Sequence, residues 1–427
     1  MRERPDPTIG AAAGAPVDAS AAARADLPAG ALAGIRVADF SRVLAGPYAT
    51  MLLADFGADV VKVEPPQGDE TRGWLPPVDA SGASTYFGSV NRNKRAVRID
   101  LTDPAGLAEA RRLAATADVV IENFRPGVMG RFGLAYEDVR AQNPSVVYCS
   151  ITGFGAGEGA GLAGYDLLVQ ALGGLMSITG EPDGDPVKAG VALVDVLTGQ
   201  NAVAGILLAL RERDRTGRGQ LVEVTLLQSL LSALVNQAGG TLATGTPPAR
   251  LGNRHPSIAP YAVFRAADRD LVIAVGNDRQ FRTLARLIGR DDLADDPRYA
   301  TNADRVGHRD ALAAELESAL AVRPAADWSR AFADAGVPAG VVNDVAEAFA
   351  FAESLGLDPV VRLGSSASVA SPIRLSATPA RYRTAPPALG ADDGADWLGA
   401  SAPDASAPDA SAPGASAPDP DPEGTRP

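Results

Sequence analysis

Ile35-Arg36-Val37-Ala38-Asp39-Phe40, then Ala45-Gly46-Pro47, then Asp59-Val60-Val61-Lys62-Val63-Glu64: these three runs decide the fold. The first has the character of a strand. The second opens a helix, Tyr48 to Phe56, that stops at Gly57, and the third is a strand closed by Pro65-Pro66. A strand, a helix and a strand within roughly 30 residues make a βαβ unit, hence a parallel sheet with a right-handed crossover. The pattern continues outward, with a strand at Ala96–Asp100 and a helix at Pro104–Thr116 that Asp103 is placed to cap. A strand at Val119–Glu122, a helix at Tyr136–Gln142 and a strand at Val146–Ile151 follow. This is a doubly wound α/β layout. A buried helix, Gly199–Arg213, a strand, Leu221–Thr225, and a long apolar helix, Leu226–Ala243, come next. Ala259–Phe264 and Asp270–Val275 pair as a hairpin, and helices at Asp278–Ile288, Arg305–Ala321 and Ala325–Ala335 complete a smaller α+β domain. Strands at Val337–Val342 and Ser371–Ser376 close the ordered part.

The 427 residues suit two domains or one large one, and 46% apolar with 21% charged residues is an ordinary globular composition. The net charge of −13 argues against nucleic-acid or anionic-membrane partners. Much of that charge is local: residues 391–427 carry eight acids against one arginine. Residues 1–30, rich in Ala, Pro, Gly and charge, and residues 399–427, in which Asp-Ala-Ser-Ala-Pro recurs, are expected to be disordered. No run of 18 apolar residues marks a membrane span, and the N-terminus lacks the apolar core of a signal peptide. The single cysteine, Cys149, in an apolar run, suits a reducing cytoplasm. With only His255 and His308 beside it, no metal site is expected.

Asp195 stands alone among apolar neighbours in Val187-Lys188-Ala189-Gly190-Val191-Ala192-Leu193-Val194-Asp195-Val196-Leu197-Thr198-Gly199, just ahead of the buried helix. An ionised carboxylate there needs compensation, either as a helix cap or through a catalytic duty. Gly159-Ala160-Gly161-Leu162-Ala163-Gly164 matches a dinucleotide fingerprint by letter, but no strand immediately precedes it, so a plain loop is the better reading. The basic cluster Arg92-Asn93-Lys94-Arg95, with Arg98, suits phosphates or a solvated turn equally. Glu122-Asn123-Phe124-Arg125-Pro126-Gly127 puts polar side chains at a strand's carboxyl end, where open α/β sheets bind ligands.

Taken in order, Asp39-Phe40-Ser41-Arg42-Val43-Leu44-Ala45-Gly46-Pro47, Gly57 to Glu64, Asn91 to Arg95, Glu122 to Gly127 and Thr216-Gly217-Arg218-Gly219-Gln220 resemble the family III CoA-transferases, which also include α-methylacyl-CoA racemase. The resemblance runs from about Gly34 to Gly390. It implies an interlocked homodimer. Each subunit would have a Rossmann-like large domain, residues 31–222 and 338–398, with a parallel sheet built from both chain ends, and a small domain, residues 223–337. It makes Asp195 the nucleophile that takes CoA from an acyl-CoA through a mixed anhydride and an aspartyl-CoA thioester, with helix-start N–H groups for the oxyanion. The CoA contacts it implies are Val43, Ala45, Ile99, Asp100, Leu101, Thr102, Asn123, Phe124, Arg125 and Arg131, with Lys94 and Arg95 at the phosphates. The segment around Arg254, His255 and Tyr261 resembles members that use succinyl-CoA and dicarboxylates, so Arg254 and Arg42 become candidates for a second carboxylate.

The chain departs from the family's pattern in three places. The loop Gly153–Gly164 lacks the Gly-Pro and the basic residue common before Gly-Tyr-Asp, Ala163 stands where formyl-CoA transferase has a CoA-contacting lysine, and the glycine-rich loop of that enzyme has no obvious counterpart, with Leu251–Pro256 the candidate for its place. In the racemase the histidine of the Gly-His-Asp motif is a base; here it is Tyr165, a poor base at neutral pH. Racemisation and non-catalytic CoA binding stand as the alternatives to CoA transfer.

Overall fold

The computed structural model describes residues 30–397. The expected N-terminal extension, except Gly30 itself, and the expected C-terminal tail lie outside them. Six parallel strands form one sheet: β1 (Arg36–Asp39), β2 (Asp59–Glu64), β3 (Arg95–Arg98), β4 (Val119–Glu122), β5 (Val147–Thr152) and β6 (Leu221–Thr225). Their order, β3-β2-β1-β4-β5-β6, reverses direction at β1 and β4, and a crevice opens beyond the carboxyl ends at such a switch point. Val119, Val120 and Ile121 of β4 are fully buried, as a strand covered on both faces requires.

Helices α1 (Ala45–Asp55), α2 (Pro104–Thr116), α3 (Tyr136–Gln142), α4 (Asp166–Leu172) and α5 (Leu193–Thr216) flank the sheet. Asp103 caps α2 through the Gly106 N–H at 2.8 Å, with Pro104 at the first helical position. α5 starts six residues before the expected Gly199, so Asp195 sits inside its first turn rather than ahead of it. On length and composition α5 could cross a membrane. Instead Val194, Ala202, Ile206, Ala209 and Leu210 are buried in the core beside Ala45, Ala49 and Leu53 of α1. The two helices touch at Gly199, where an added Cβ would lie 2.6 Å from the Ala45 carbonyl oxygen and 3.0 Å from Tyr48 Cδ1. Gly199→Ala is therefore expected to cost about 1–3 kcal/mol of stability by overpacking. An unchanged denaturant midpoint would contradict so close a crossing.

The expected long helix after β6 breaks into α6 (Leu226–Ala233) and α7 (Val235–Thr244), because Val235 has φ 38°. Leu226 and Leu230 of α6 join the core of the six-stranded sheet. A second core, with Phe264, Ile273, Phe281, Leu316, Trp328 and Phe332, lies under an antiparallel sheet of β7 (Tyr261–Arg265), β8 (Asp270–Ala274) and β9 (Ala339–Val341).

Two sequence-based expectations need correction. The strand near 337–342, assigned to the large domain, pairs with β8 of the small sheet through Leu271–Val341, Val272–Gly340 and Ile273–Ala339. The expected strand at 371–376 is not formed; β10 (Val360–Leu363) and β11 (Ser366–Val369) make a hairpin just before it. Among the described residues the large sheet is thus built from residues 36–225 alone, not from both chain ends. The C-terminal segment reaches it differently. The Asp392 N–H donates to the Ala96 carbonyl at 3.0 Å, Asp392 Oδ2 accepts from the Ala96 N–H at 2.9 Å, and Asp393 Oδ1 accepts from the Arg98 N–H at 2.7 Å. Trp397 then buries against the same core as α2, with its indole N–H bonded to Thr116 Oγ1. The outer edge of β3 is covered without a further strand.

Candidate active site

A cleft of about 180 Å³ lies at the carboxyl ends of β1, β4 and β5. Arg42, Val43 and Ala45 come to it from the β1–α1 turn, Asn123, Phe124 and Arg125 from the end of β4, Tyr165 and Asp166 from the start of α4, and Asp195 from α5. Cavities that enclose a drug-sized ligand hold roughly 300–1,000 Å³. This one is smaller, with room for the end of a ligand rather than the whole of a large one.

Asp195 is largely buried, and its carboxylate accepts no hydrogen bond from the described residues. Burial, and next the charge of Asp166, push its pKa up to about 7 from an ordinary 3.8. The cap of α5 is Asp166, not Asp195. Asp166 Oδ1 accepts from the Val194 N–H at 2.8 Å and the Asp195 N–H at 3.3 Å, and Oδ2 accepts from Gln170 Nε2 at 2.6 Å. Gln170, fully buried, in turn accepts from the Ala189 N–H. The remaining first-turn amides are also engaged, Leu193 with Val191 O and Val196 with Ala192 O. The expected oxyanion donors at this helix start are therefore occupied. The first turn of α1 has no side-chain cap, and its Ala45 and Gly46 N–H groups have no partner among the described residues. Of the two residues, Ala45 lines the same cleft.

The raised pKa has a sign that can be checked. Asp195 is protonated well below pH 7, so catalysis needing its carboxylate should rise toward pH 7 and level off above it. The folded state binds the Asp195 proton more tightly than the unfolded chain does, so this group lowers stability as pH rises from about 4 to 7. Asp195→Asn is expected to raise the melting temperature at pH 8 and leave it unchanged at pH 4. A rate profile still flat at pH 5, or no pH dependence of the Asn effect, would contradict the assignment.

The expected ligand contacts fall into four groups. Arg42, Val43, Ala45, Asn123, Phe124, Arg125 and Tyr165 surround Asp195. Arg42 stacks over Phe124 at 4.8 Å and pairs loosely with Glu70 at 3.4 Å, while the exposed Arg125 has no ion-pair partner among the described residues. The Asn123 side chain is committed to the fold: Oδ1 accepts from the Arg42 N–H at 2.8 Å and Nδ2 donates to the Arg42 carbonyl at 2.7 Å. Ile99, Asp100, Leu101 and Thr102 follow β3 at the same end of the sheet, and the exposed Arg131 ends a short turn after β4, but none of these lines the cleft.

Lys94 and Arg95 are not available to phosphates. Lys94 is buried, with Nζ donating to Asp39 Oδ2 at 3.2 Å, Pro47 O at 2.9 Å and Asn91 Oδ1 at 2.8 Å. Arg95 begins β3, at the opposite end of the strands, and grips Asp59 with two nitrogens while donating to the Asp396 carbonyl. Arg254, His255 and Tyr261 do come together, with rings 5.2 Å apart for the last two, but in a separate cavity beside β7, which Glu181 also lines. Arg254 is salt-bridged there to Asp310 at 2.6 Å.

Sequence reasoning missed Asp166 and Tyr86. Tyr86 is close enough for the charges of Asp195 and Asp166 to add to burial in pushing its pKa up to about 12. Asp166 carries a faint signal, an acid opening an apolar helix, but its target lies 28 residues on. Tyr86 carries none.

Residues 32–393 match CoA-transferase family III, and the chain belongs to that family. It is a CoA-transferase, an enzyme of a family whose substrates are CoA thioesters. The chain is 46% identical over 371 residues to the succinate–glutarate CoA-transferase of Agrobacterium fabrum, covering 84% of this chain and 93% of that protein. It is 42% identical to the acetyl-CoA:oxalate CoA-transferase of Acetobacter aceti, covering 82% and 90%. A crystal structure of a CaiB/BaiF family protein from Brucella suis superposes with TM-score 0.79 at 43% identity, covering 85% of this chain and 97% of that one.

Proposed function

We propose that the protein moves CoA between succinyl-CoA and a second dicarboxylic acid through covalent intermediates on Asp195. The observation that carries this reading is a desolvated carboxylate with no hydrogen-bond donor, at the wall of a cleft lined by Val43, Ala45 and Asn123 to Arg125. A carboxylate stripped of donors is a stronger nucleophile once ionised. Its oxygen attacks the thioester carbon, the C–S bond breaks and CoA leaves as thiolate, giving a mixed anhydride. The thiolate then attacks the aspartyl carbonyl and releases the donor acid as carboxylate, leaving an aspartyl-CoA thioester. The acceptor carboxylate attacks that thioester, and the returning thiolate takes the acceptor's acyl group, freeing Asp195. Each step trades one acyl bond for another and needs no net proton transfer. The Ala45 amide, at the cleft wall and without a partner among the described residues, is the donor left for the oxyanions.

The names of the relatives, succinate–glutarate and succinyl-CoA:mesaconate CoA-transferases among them, support a dicarboxylate pair. Arg42 and Arg125, cationic at the cleft, suit the second carboxylate; Arg254 is spent on Asp310. A cytoplasmic homodimer belongs to the same reading.

Incubation with succinyl-CoA and hydroxylamine, followed by peptide mass spectrometry, tests the mechanism. A hydroxamate on Asp195, absent from Asp195→Ala, is the expected product; turnover with modification elsewhere would overturn it. A panel of acceptors tests the substrate, and turnover with monocarboxylates alone would sink the dicarboxylate assignment.

A further inference from the structure

Between β1 and α1 the chain turns sharply at Val43, whose φ of 68° lies in the left-handed region that a β-branched residue avoids. The backbone of this turn is held by side chains from elsewhere. The Ser41 N–H donates to Asp39 Oδ1 at 3.0 Å, and the Ser41 carbonyl accepts from Lys62 Nζ at 2.9 Å. Asn123 takes both polar groups of Arg42. Asp69 Oδ2 accepts from the Val43 N–H at 3.3 Å. Asp69 is itself buried and tethered on all sides: Oδ2 lies 2.9 Å from Lys62 Nζ, Oδ1 accepts from the N–H and hydroxyl of Thr71, and its own N–H donates to Glu64 Oε2.

A buried ion pair is weak evidence for stability, since an apolar pair of similar shape often does as well. What Asp69 and Lys62 supply is position. Both lie under Val43, the residue of this turn whose backbone conformation is unfavourable, and Val43 faces the cleft beside Arg42 and the uncapped start of α1. We infer that Asp69 is a positioning residue of the CoA cleft: paired with Lys62, it holds Val43 in its strained conformation and so fixes Arg42 and the first α1 amides against the ligand. The inference rests on the CoA-transferase reading.

Strained residues of this kind persist only where surrounding structure enforces them, and glycine takes the same conformation freely. The test follows from that difference. In the full chain, binding of CoA is measured by calorimetry for wild type, Asp69→Asn, Val43→Gly and the double variant. Asp69→Asn is expected to weaken CoA binding at least about tenfold when Val43 is retained. In the Val43→Gly background, where the turn needs no enforcement, the same substitution should cost less than about threefold. Equal losses in both backgrounds, or undiminished binding by a folded Asp69→Asn protein, would overturn the inference while leaving CoA transfer intact. Should Asp69→Asn not fold, it is expected to fold when combined with Val43→Gly; failure there too would assign Asp69 to the fold alone and overturn the inference. A wild-type protein that binds no CoA would remove both readings together.

Discussion

Asp195→Ala is expected to lower kcat for CoA exchange by roughly four orders of magnitude or more, the scale seen when a covalent nucleophile is removed. CoA affinity should change only a few-fold, because the proposed CoA contacts lie at the β1–α1 turn and the end of β4 rather than at this carboxylate. Asp166 cannot substitute. Its two oxygens are held by three donors, the Val194 and Asp195 amides and Gln170 Nε2. Asp195→Asn should be as inactive as Asp195→Ala while keeping the shape of the site. Steady-state kinetics with succinyl-CoA and glutarate would decide, and a variant with activity within about a hundredfold of wild type would move the chemistry to another group.

Lys94→Met is expected to destabilise the protein by about 3–5 kcal/mol, because it strands the buried Asp39 carboxylate. Asp39 is fully buried; burial by itself would raise its pKa, and the Lys94 and Lys62 charges outweigh that and hold it low. With Lys94 gone, only Lys62 remains near, and Lys62 is already paired with Asp69. The denaturation midpoint should fall sharply while KM for acyl-CoA in the folded fraction stays near wild type. A lysine that grips a phosphate would show the reverse: a raised KM with an unchanged midpoint.

That contrast shows where the sequence was readable. β2, β4 and β6 and the helices Pro104–Thr116 and Tyr136–Gln142 fall on the expected residues, because their period and caps are local. Asp195 stood out for an equally local reason, a lone carboxylate in an apolar run. Lys94 and Arg95 were misread since their partners, Asp39 and Asp59, lie 55 and 36 residues away, and a basic run with unknown partners looks solvated. Gly199 hid the start of α5, because glycine reads as a helix boundary when the reason for it is a neighbouring helix. The role of Asp166 was illegible because capping from another segment has no short-range signature. Arg254, His255 and Tyr261 line one cavity, but nothing in their spacing says that it is not the cavity of Asp195.

The clasp of Asp392 to Trp397 over β3 gives this protein a timing problem. Ala96 waits 296 residues of synthesis for the carboxylate that covers it, about 15–60 s at ribosomal speed. Throughout that interval the nascent sheet would carry an open edge strand while the switch-point crevice was already assembled. The chain therefore acquires its catalytic architecture before its protection against edge-to-edge pairing, and a holding chaperone during translation should improve its yield more than one supplied after release.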